Sequence, residues 1–202
     1  MGDLLTQFLN IIFPPRESEK NIQEFNLTQS ESLYAKNVFN GFIYLSRYDN
    51  EIVRSAILEN KFHNNKKASR ILGQLLDKWN TEQTLSTLFI PIPLGQKRQK
   101  QRGYNQVVEV LKTAPKSINY DTNLLMRNLE TAPQTELNKI ERQKNVKYAF
   151  IYNKTPTDLS LYSQVVIIDD VVTTGATLES ARETLKSKLP TGTKVICLAL
   201  SH

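Results

Sequence analysis

The stretch VVIIDDVVTTGATL, from Val165 to Leu178, constrains the fold of this chain more than any other. Its first four residues, Val165 to Ile168, are apolar and β-branched, which is typical of a strand buried on both faces in a parallel sheet. Two carboxylates, Asp169 and Asp170, follow this predicted strand directly. A short turn then leads into a predicted helix. The apolar positions of that helix have the spacing of one helical face: Leu178, Ala181, Leu185 and Leu189.

This predicted strand, turn and helix suggest a site for a sugar phosphate. The turn contains Thr173, Thr174 and Gly175, and backbone N–H groups and hydroxyls in such a turn bind a phosphate. The helix dipole also favours an anion at the helix N-terminus. Asp169 and Asp170 are able to accept hydrogen bonds from sugar hydroxyls, each charge-assisted and worth roughly 1.5–3 kcal/mol.

Composition limits the classes of ligand and metal site. The net charge of +6 suits a polyanion, whether phosphate, pyrophosphate or nucleic acid. The one cysteine, Cys197, rules out an internal disulfide and a cysteine-rich metal site, and its apolar surroundings predict burial. The two histidines, His63 and His202, are too few for a histidine-rich metal site, and His63 is expected at the surface. The longest apolar run is too short to span a membrane.

The chain is long enough for one domain with an extension. Residues 1–41 are assigned to an N-terminal helical extension and connection, and residues 42–202 to an α/β domain. Strands are predicted at 42–48, 87–94, 124–127, 146–152, 165–168 and 195–200. Two helices are predicted after the first strand, one starting at Asp49 or Asn50 and one carrying Ala68 to Trp79, with a turn at 61–65 between them. Consecutive β-α-β units predict a parallel sheet flanked by helices.

Two polar segments are predicted as loops. GQKRQKQRGYNQ, residues 95–106, has four basic residues and no acid. Two interpretations stay open: a solvated basic loop, or a clamp for a second anion where open α/β sheets bind ligands. Residues 128–145 contain few apolar side chains, which favours a long mobile loop that closes over a ligand.

At the stretch 165–178 the chain resembles the type I phosphoribosyltransferases. The resemblance implies their fold, a parallel sheet flanked by helices with a flexible hood loop. It also implies that Asp169 and Asp170 are catalytic residues that hold the ribose 2- and 3-hydroxyls of 5-phosphoribosyl-1-pyrophosphate. The residues that would then wrap the 5-phosphate are Thr173, Thr174, Gly175, Ala176 and Thr177.

Three further stretches resemble the ComF-type competence family: IPIPLGQKRQKQRGYNQ at 90–106, LLMRNLETAPQTELNKIERQKNVKYAF at 124–150, and KFHNNKKASRILGQLL at 61–76. This resemblance implies a pyrophosphate site formed by Lys97, Arg98, Arg102, Gly103, Asn105 and Gln106. It implies a hood loop with Arg127, Gln134 and Arg142. Family members commonly carry a cysteine-rich zinc finger after a Phe-Pro-Pro segment. Here Arg16-Glu17-Ser18 follows Phe13-Pro14-Pro15, so we expect no zinc.

The resemblance implies a phosphoribosyltransferase, a class of glycosyltransferase in nucleotide metabolism, that uses Mg²⁺ with its donor and releases pyrophosphate. It also implies a role in DNA uptake during natural transformation, together with the uptake machinery. We expect a cytoplasmic protein, either free or peripheral to the inner face of the membrane. Two alternatives stay open. One is a non-catalytic factor that binds single-stranded DNA through basic clusters at 61–70, 97–102 and 139–147, with Tyr104 or Tyr148 as stacking partners. The other is a ligand-sensing regulator on the same fold.

Overall fold

The computed structural model describes residues 15–114, 118–127 and 149–202. Its helices are α1 (Glu17–Glu24), α2 (Glu51–His63), α3 (Lys66–Thr81), α4 (Gln96–Arg102), α5 (Gln106–Thr113) and α6 (Ala176–Lys186). Its strands are β1 (Asn37–Phe39), β2 (Phe42–Ser46), β3 (Thr87–Pro91), β4 (Leu125–Arg127), β5 (Phe150–Tyr152), β6 (Gln164–Val171) and β7 (Lys194–Ser201). Short 3₁₀ helices cover Leu27–Leu33 and Leu159–Leu161.

The main sheet has five strands in the order β1-β2-β7-β6-β3. The pairs β2 with β7, β7 with β6 and β6 with β3 are parallel, and only the edge strand β1 pairs antiparallel, with β2. Strands β4 and β5 form a separate antiparallel pair. The predicted α/β class, a mostly parallel sheet flanked by helices, is confirmed. Strand β1 lies before residue 42 and belongs to this sheet. The division of the chain into an extension (1–41) and a domain (42–202) stays a prediction.

The central strand β6 is buried on both faces, as its apolar run predicts. Val166 and Ile168 pack into a core with the helices α1, α2, α3 and α5. Val165 and Ile167 pack on the other side, with α6 and the β4–β5 pair. This alternation follows from the two-residue period of a strand. Cys197 is buried in the second core, as predicted.

The first helical pair is confirmed, but the predicted turn between its helices was too long. Asn50 caps α2 by accepting from the backbone N–H groups of Ile52 and Val53. The helix then runs through His63, so the turn reduces to Asn64 and Asn65. Asn64 adopts the left-handed conformation, with φ of 48°, that commonly ends a helix. Lys61 and Phe62 are therefore helical residues, and His63 is exposed, as expected.

Trp79 is packed in the core, as predicted. It is 1% exposed and meets Phe89 edge-on with ring centroids 6.0 Å apart. At the other end of the chain, α6 ends at Lys186. Leu189 therefore lies beyond the helix on which it was predicted, although it still packs against the second core.

Two further corrections concern the predicted ligand segments. The basic segment 95–106 is not a loop: Gln96–Arg102 forms α4, and Gly103, with φ of 77°, ends it. Glutamine, lysine and arginine have good helix propensity, but without apolar positions the segment shows no helical periodicity. Strand β6 also continues to Val171, so Asp169 and Asp170 lie within the strand rather than after it.

Some predictions fall on residues that the structure does not describe. They are the apolar opening 1–13, the loop 128–145 and the first residues of the predicted strand 146–152. Within the ranges described above, no helix combines the length and apolar character needed to cross a membrane.

Candidate functional site

A cleft of about 790 Å³ opens at the carboxyl ends of β3 and β6. The two strands are neighbours, but the chain leaves them in opposite directions. After β6 it passes through α6 to β7, while after β3 it passes through α4 and α5 to Tyr120, which bridges to the outer side of β3. Such a switch point, outside the carboxyl ends of parallel strands, is where open α/β sheets bind ligands. The cleft is therefore the candidate functional site.

The polar and aromatic lining of the cleft combines cations, two carboxylates and hydroxyls: Tyr48, Lys61, Phe62, Arg98, Arg102, Gln106, Arg127, Asp169, Asp170, Thr173, Thr177 and His202. Eight of these residues were predicted as site residues on separate segments. They are Arg98, Arg102, Gln106, Arg127, Asp169, Asp170, Thr173 and Thr177. The fold thus brings both predicted anion segments to one cleft.

The two carboxylates of β6 have different surroundings. Asp170 is 6% exposed, and its Oδ2 accepts from Nε2 of Gln106 at 3.1 Å and lies 3.2 Å from Nζ of Lys61. Asp169 is partly exposed, and its Oδ1 accepts from the backbone N–H of Asp170 at 2.8 Å. Asp170 is thus anchored by side chains from two helices, whereas Asp169 faces the cleft without an ion pair in the described residues.

Partial burial of the Asp169 carboxyl and the neighbouring charge of Asp170 raise its pKa well above its usual range. Lys61 acts in the opposite direction and lowers the pKa of this carboxyl, but it does not cancel the first two effects. Ionisation of Asp169 is therefore unfavourable, and a cation or hydrogen-bond donors at this carboxylate would make it less so. This is the electrostatic character expected of a position that binds a polar ligand.

The turn after β6 is shaped for a close approach of its backbone. Gly175 has φ of 80°, and a Cβ atom at this position would lie 2.0 Å from Cε2 of Phe42. Glycine is therefore required both for the left-handed backbone and for the space. Gly175 has no side chain to cap α6, and the N–H of Ala176 donates to Oγ1 of Thr174 at 3.4 Å. The first N–H groups of this helix point towards the turn. The turn, from Val172 through Leu178, encloses a small hollow of about 40 Å³ beside Asp169.

The basic helix α4 divides its charges between the cleft and solvent. Arg98 and Arg102 line the cleft, while Lys97 and Lys100 are exposed and do not line it. Arg102 donates to the side-chain oxygen of Gln106, which in turn donates to Asp170. An arginine of α4 is thus connected to the acidic pair through one amide side chain.

Gly103 and Asn105, also predicted at the pyrophosphate site, have structural roles. Gly103 ends α4 in the left-handed conformation. Asn105 caps α5 by accepting from the N–H groups of Val107 and Val108, and its amide donates to the carbonyl of Ile92 at 2.9 Å. These residues fix the path of the chain between the two helices, and neither lines the cleft.

Arg127 enters the cleft from β4. Its Nε donates to the carbonyl of Pro93 at 3.4 Å, and its guanidinium carbon lies 4.8 Å from the ring centroid of Phe150. Burial lowers the pKa of Arg127, Asp169 opposes that shift, and Arg98 adds to it. Gln134 and Arg142, predicted on the same hood loop, lie outside the described residues, as does Tyr148. Tyr104 is half-buried, and its hydroxyl bonds to the backbone of Asn60 and Asn64.

Four lining residues were not predicted as site residues: Tyr48, Lys61, Phe62 and His202. Lys61 was predicted in the turn 61–65, but it lies one helical turn after Ile57, a predicted core position. Extending the helical spacing by one turn would have placed it near the sheet. The ring of His202 stacks on Phe39 at 3.9 Å, and its Nδ1 lies 2.9 Å from the carbonyl of Val172. No local pattern in the sequence indicates the contact of His202, because it depends on the pairing of β7 with β2.

Comparison with known proteins identifies relatives over part of the chain. The chain is 32% identical to Competence protein F from Haemophilus influenzae over 134 residues, which is 62% of this chain and 58% of that protein. It is 30% identical to the DNA utilization protein YhgH from Escherichia coli over 113 residues, 54% of this chain and 48% of that protein. The matches thus span about half the length of these relatives. No protein-family model matches the chain.

The similarity to solved structures is weaker. A hypoxanthine phosphoribosyltransferase from Staphylococcus aureus is 17% identical with a TM-score of 0.40, over 72% of this chain and 69% of that one. A phosphoribosyltransferase from Corynebacterium diphtheriae is also 17% identical, with a TM-score of 0.39, over 90% of this chain and 82% of that one.

Proposed function

We propose that this chain, a homologue of Competence protein F over the matched residues, binds 5-phosphoribosyl-1-pyrophosphate or a related nucleotide in its cleft. We also propose that it acts in DNA uptake during natural transformation, in keeping with the names of its relatives. One observation carries the ligand proposal. The acidic pair of β6 shares a single cleft with two arginines of α4 and with the turn before α6.

In the proposed complex each part of the ligand has its own partners. The 5-phosphate binds the turn 173–177, where backbone N–H groups of a helix start are directed at an anion. The ribose hydroxyls donate to Asp169 and Asp170. The pyrophosphate lies towards Arg98 and Arg102, whose guanidinium groups suit bidentate contacts with phosphate oxygens.

Magnesium fits this site as part of the ligand. The described residues contain no group of three or more histidine, cysteine or acidic side chains that could hold a metal ion. Asp170 already contacts Lys61 and Gln106, which leaves Asp169 as the carboxylate with free capacity. We therefore propose that Mg²⁺ binds oxygens of the pyrophosphate and ribose, the type of site this ion commonly occupies.

We propose phosphoribosyl transfer as the reaction. A nitrogen of the acceptor forms a bond to C1 of the ribose, the bond from C1 to the pyrophosphate oxygen breaks, and its electron pair leaves with pyrophosphate. The proton of the nitrogen passes to solvent. In a transition state of oxocarbenium character, negative charge moves onto the leaving group, where Arg98 and Arg102 stabilise it. The carboxylates of β6 hold the ribose in position.

Calorimetry with 5-phosphoribosyl-1-pyrophosphate tests the ligand proposal. We expect binding that requires Mg²⁺ and that is lost in the double variant Asp169→Asn/Asp170→Asn. The control variant Asp158→Asn removes a carboxylate outside the cleft, and it should bind as the unmodified chain does. If the unmodified chain does not bind this compound with Mg²⁺ present, the proposed phosphoribosyl transfer is wrong.

A second candidate function is binding of single-stranded DNA without catalysis. It is favoured by the exposed cationic residues of α4 and by the names of the relatives. Because phosphate contacts release counterions, affinity for an oligonucleotide should fall steeply as salt rises. The variant Lys97→Glu/Arg98→Glu should weaken this binding, whereas Lys154→Glu, at an exposed lysine away from α4, should have a much smaller effect. Affinity that does not respond to salt would contradict this candidate.

A further inference from the structure

Phe62 is an exposed aromatic side chain in the last turn of α2. It is 58% exposed, although a phenylalanine ring is among the side chains most often buried. The other large apolar side chains exposed in the described residues are Val38, Leu85, Met126, Ile151 and Leu161. None of these five is aromatic and none lines the cleft, whereas Phe62 does. Its exposure therefore coincides with the candidate site.

Two cations flank the ring of Phe62. The guanidinium carbon of Arg102 lies 5.7 Å from the ring centroid, and Nζ of Lys61 lies 6.0 Å from it. Both distances fall at or within the range of a cation–π contact. The ring is thus held beside positive charge, a setting that suits a planar group attached to phosphates.

The same two cations connect Phe62 to the acidic pair. Lys61 Nζ lies 3.2 Å from Oδ2 of Asp170, and Arg102 reaches the same oxygen through Gln106. The 6.0 Å and 3.2 Å distances together limit the separation of the Phe62 ring centroid from this oxygen to roughly 9 Å. A ring at this distance stands within the span of one nucleoside from the proposed ribose position.

Phe62 and the phosphate turn also lie on opposite sides of the sheet. Helix α2 packs in the core that contains Val166 and Ile168, whereas α6, which follows the turn, packs in the core that contains Val165 and Ile167. The acidic pair lies between them at the end of β6. A nucleotide with its 5-phosphate in the turn and its ribose on the acids would therefore extend towards Phe62.

We propose that Phe62 is the platform on which a nucleobase stacks in this cleft. The inference rests on the proposed function and adds to it the chemical class of the group at C1 of the ribose, a planar heteroaromatic ring. Every nucleobase presents a π face, so stacking on phenylalanine selects for a base without selecting which base. The shared chemistry is that of a base, whether from a mononucleotide or from a single-stranded nucleic acid.

The test compares probes that differ only in the base. Adenosine 5-monophosphate and ribose 5-phosphate share the sugar phosphate, and an oligothymidylate and an abasic oligomer of the same length share the backbone. We expect Phe62→Ala to lower the affinity for the base-containing probe by about tenfold, the scale of a lost stacking contact. The affinity for its base-free partner should stay unchanged. Phe62→Trp should restore the affinity. Leu161→Ala, at an exposed residue outside the cleft, is the matched control.

The outcome also separates this inference from the proposed function. If Phe62→Ala lowers the affinity for adenosine 5-monophosphate but not for ribose 5-phosphate, the base comes from a nucleotide. If only the affinity for the oligothymidylate falls, the base comes from a single strand. If Phe62→Ala lowers the affinity for neither base-containing probe, or lowers the affinity for both members of a pair equally, the inference is overturned. Binding of 5-phosphoribosyl-1-pyrophosphate, which has no base, decides the proposed function on its own.

Discussion

The turn after β6 and the helix after β3 lie at the same edge of the sheet, but they present positive potential in different ways. The turn uses small residues and backbone N–H groups, and Gly175 allows its close packing on Phe42. Helix α4 uses long arginine side chains that reach the cleft from an exposed helix. A backbone site is rigid and tolerates little change, whereas a site of long side chains can lose one group and keep its fold.

The largest expected effect follows from replacing Gly175. In Gly175→Ala the new Cβ atom meets the Phe42 ring, and the left-handed backbone adds its own cost. We expect the free energy of unfolding to fall by about 2–4 kcal/mol, combining the conformational cost with overpacking. Chemical denaturation measures this change.

Gly192→Ala is the matched control for Gly175→Ala. Gly192 has φ of 88°, but no atom lies within 4 Å of a Cβ at that position. We therefore expect only the conformational cost, about 1–2 kcal/mol. Equal destabilisation by the two substitutions would contradict the packing role of Phe42 and remove the contrast drawn above.

On α4 we expect a large effect on ligand affinity and almost none on stability. Replacing Arg98 and Arg102 by glutamine removes the two cleft cations, and each charge-assisted contact is worth about 1.5–3 kcal/mol. Affinity for 5-phosphoribosyl-1-pyrophosphate should therefore fall by at least tenfold. Lys97→Gln/Lys100→Gln removes the same charge from the same helix outside the cleft and should lower this affinity far less. Calorimetry on both double variants decides the comparison, and equal losses would show that α4 acts only through its net charge.

The contrast between turn and helix also explains what could be predicted from the sequence. The strand, acidic pair and phosphate turn are consecutive residues, so the sequence predicts their order, including Asp169, Asp170 and Gly175, although β6 extends past the acids to Val171. Helix α4 was missed because seven polar residues carry no apolar period. Local patterns in the sequence thus identify the acids and the turn but not the secondary structure of the cationic segment.

The partners of Asp170 could not be predicted from local patterns either. Lys61 and Gln106 meet this carboxylate only because α2 and α5 pack on the same face of the sheet. Such contacts depend on the tertiary arrangement of segments far apart in sequence. Gln106 was predicted at the pyrophosphate, whereas its amide donates to the acidic pair in the structure.

A smaller effect is expected in the pH dependence of stability. Because the pKa of Asp169 is raised in the folded protein, this carboxyl lowers stability as pH rises from its ordinary value, about 4, through its raised value. Asp169→Asn should remove that loss and stabilise the protein at neutral pH by about 1 kcal/mol or more, since one pKa unit corresponds to about 1.4 kcal/mol. Denaturation measured across this pH range tests the sign.

Asp158 provides a control of opposite sign for Asp169. Hydrogen bonds from Ser160 hold the pKa of Asp158 below its usual value, so its carboxylate adds stability once pH exceeds that usual value. Asp158→Asn should therefore give no stabilisation at neutral pH. Stabilisation by both substitutions would indicate a general effect of reduced negative charge rather than burial of Asp169.

The smallest expected effect concerns Lys61, the unpredicted cation on the acidic pair. Lys61 lowers the pKa of Asp169, so Lys61→Met should raise it further, by up to about one pH unit. NMR titration of the Asp169 carboxyl measures this shift. Lys61→Arg keeps the charge and should preserve the titration, and Lys154→Met removes a charge outside the cleft and should also preserve it. An unchanged titration in Lys61→Met would mean that Lys61, which lies 3.2 Å from Asp170, does not affect the pKa of Asp169. The acidic pair would then depend on its own strand, as the phosphate turn does, rather than on side chains from the neighbouring helices.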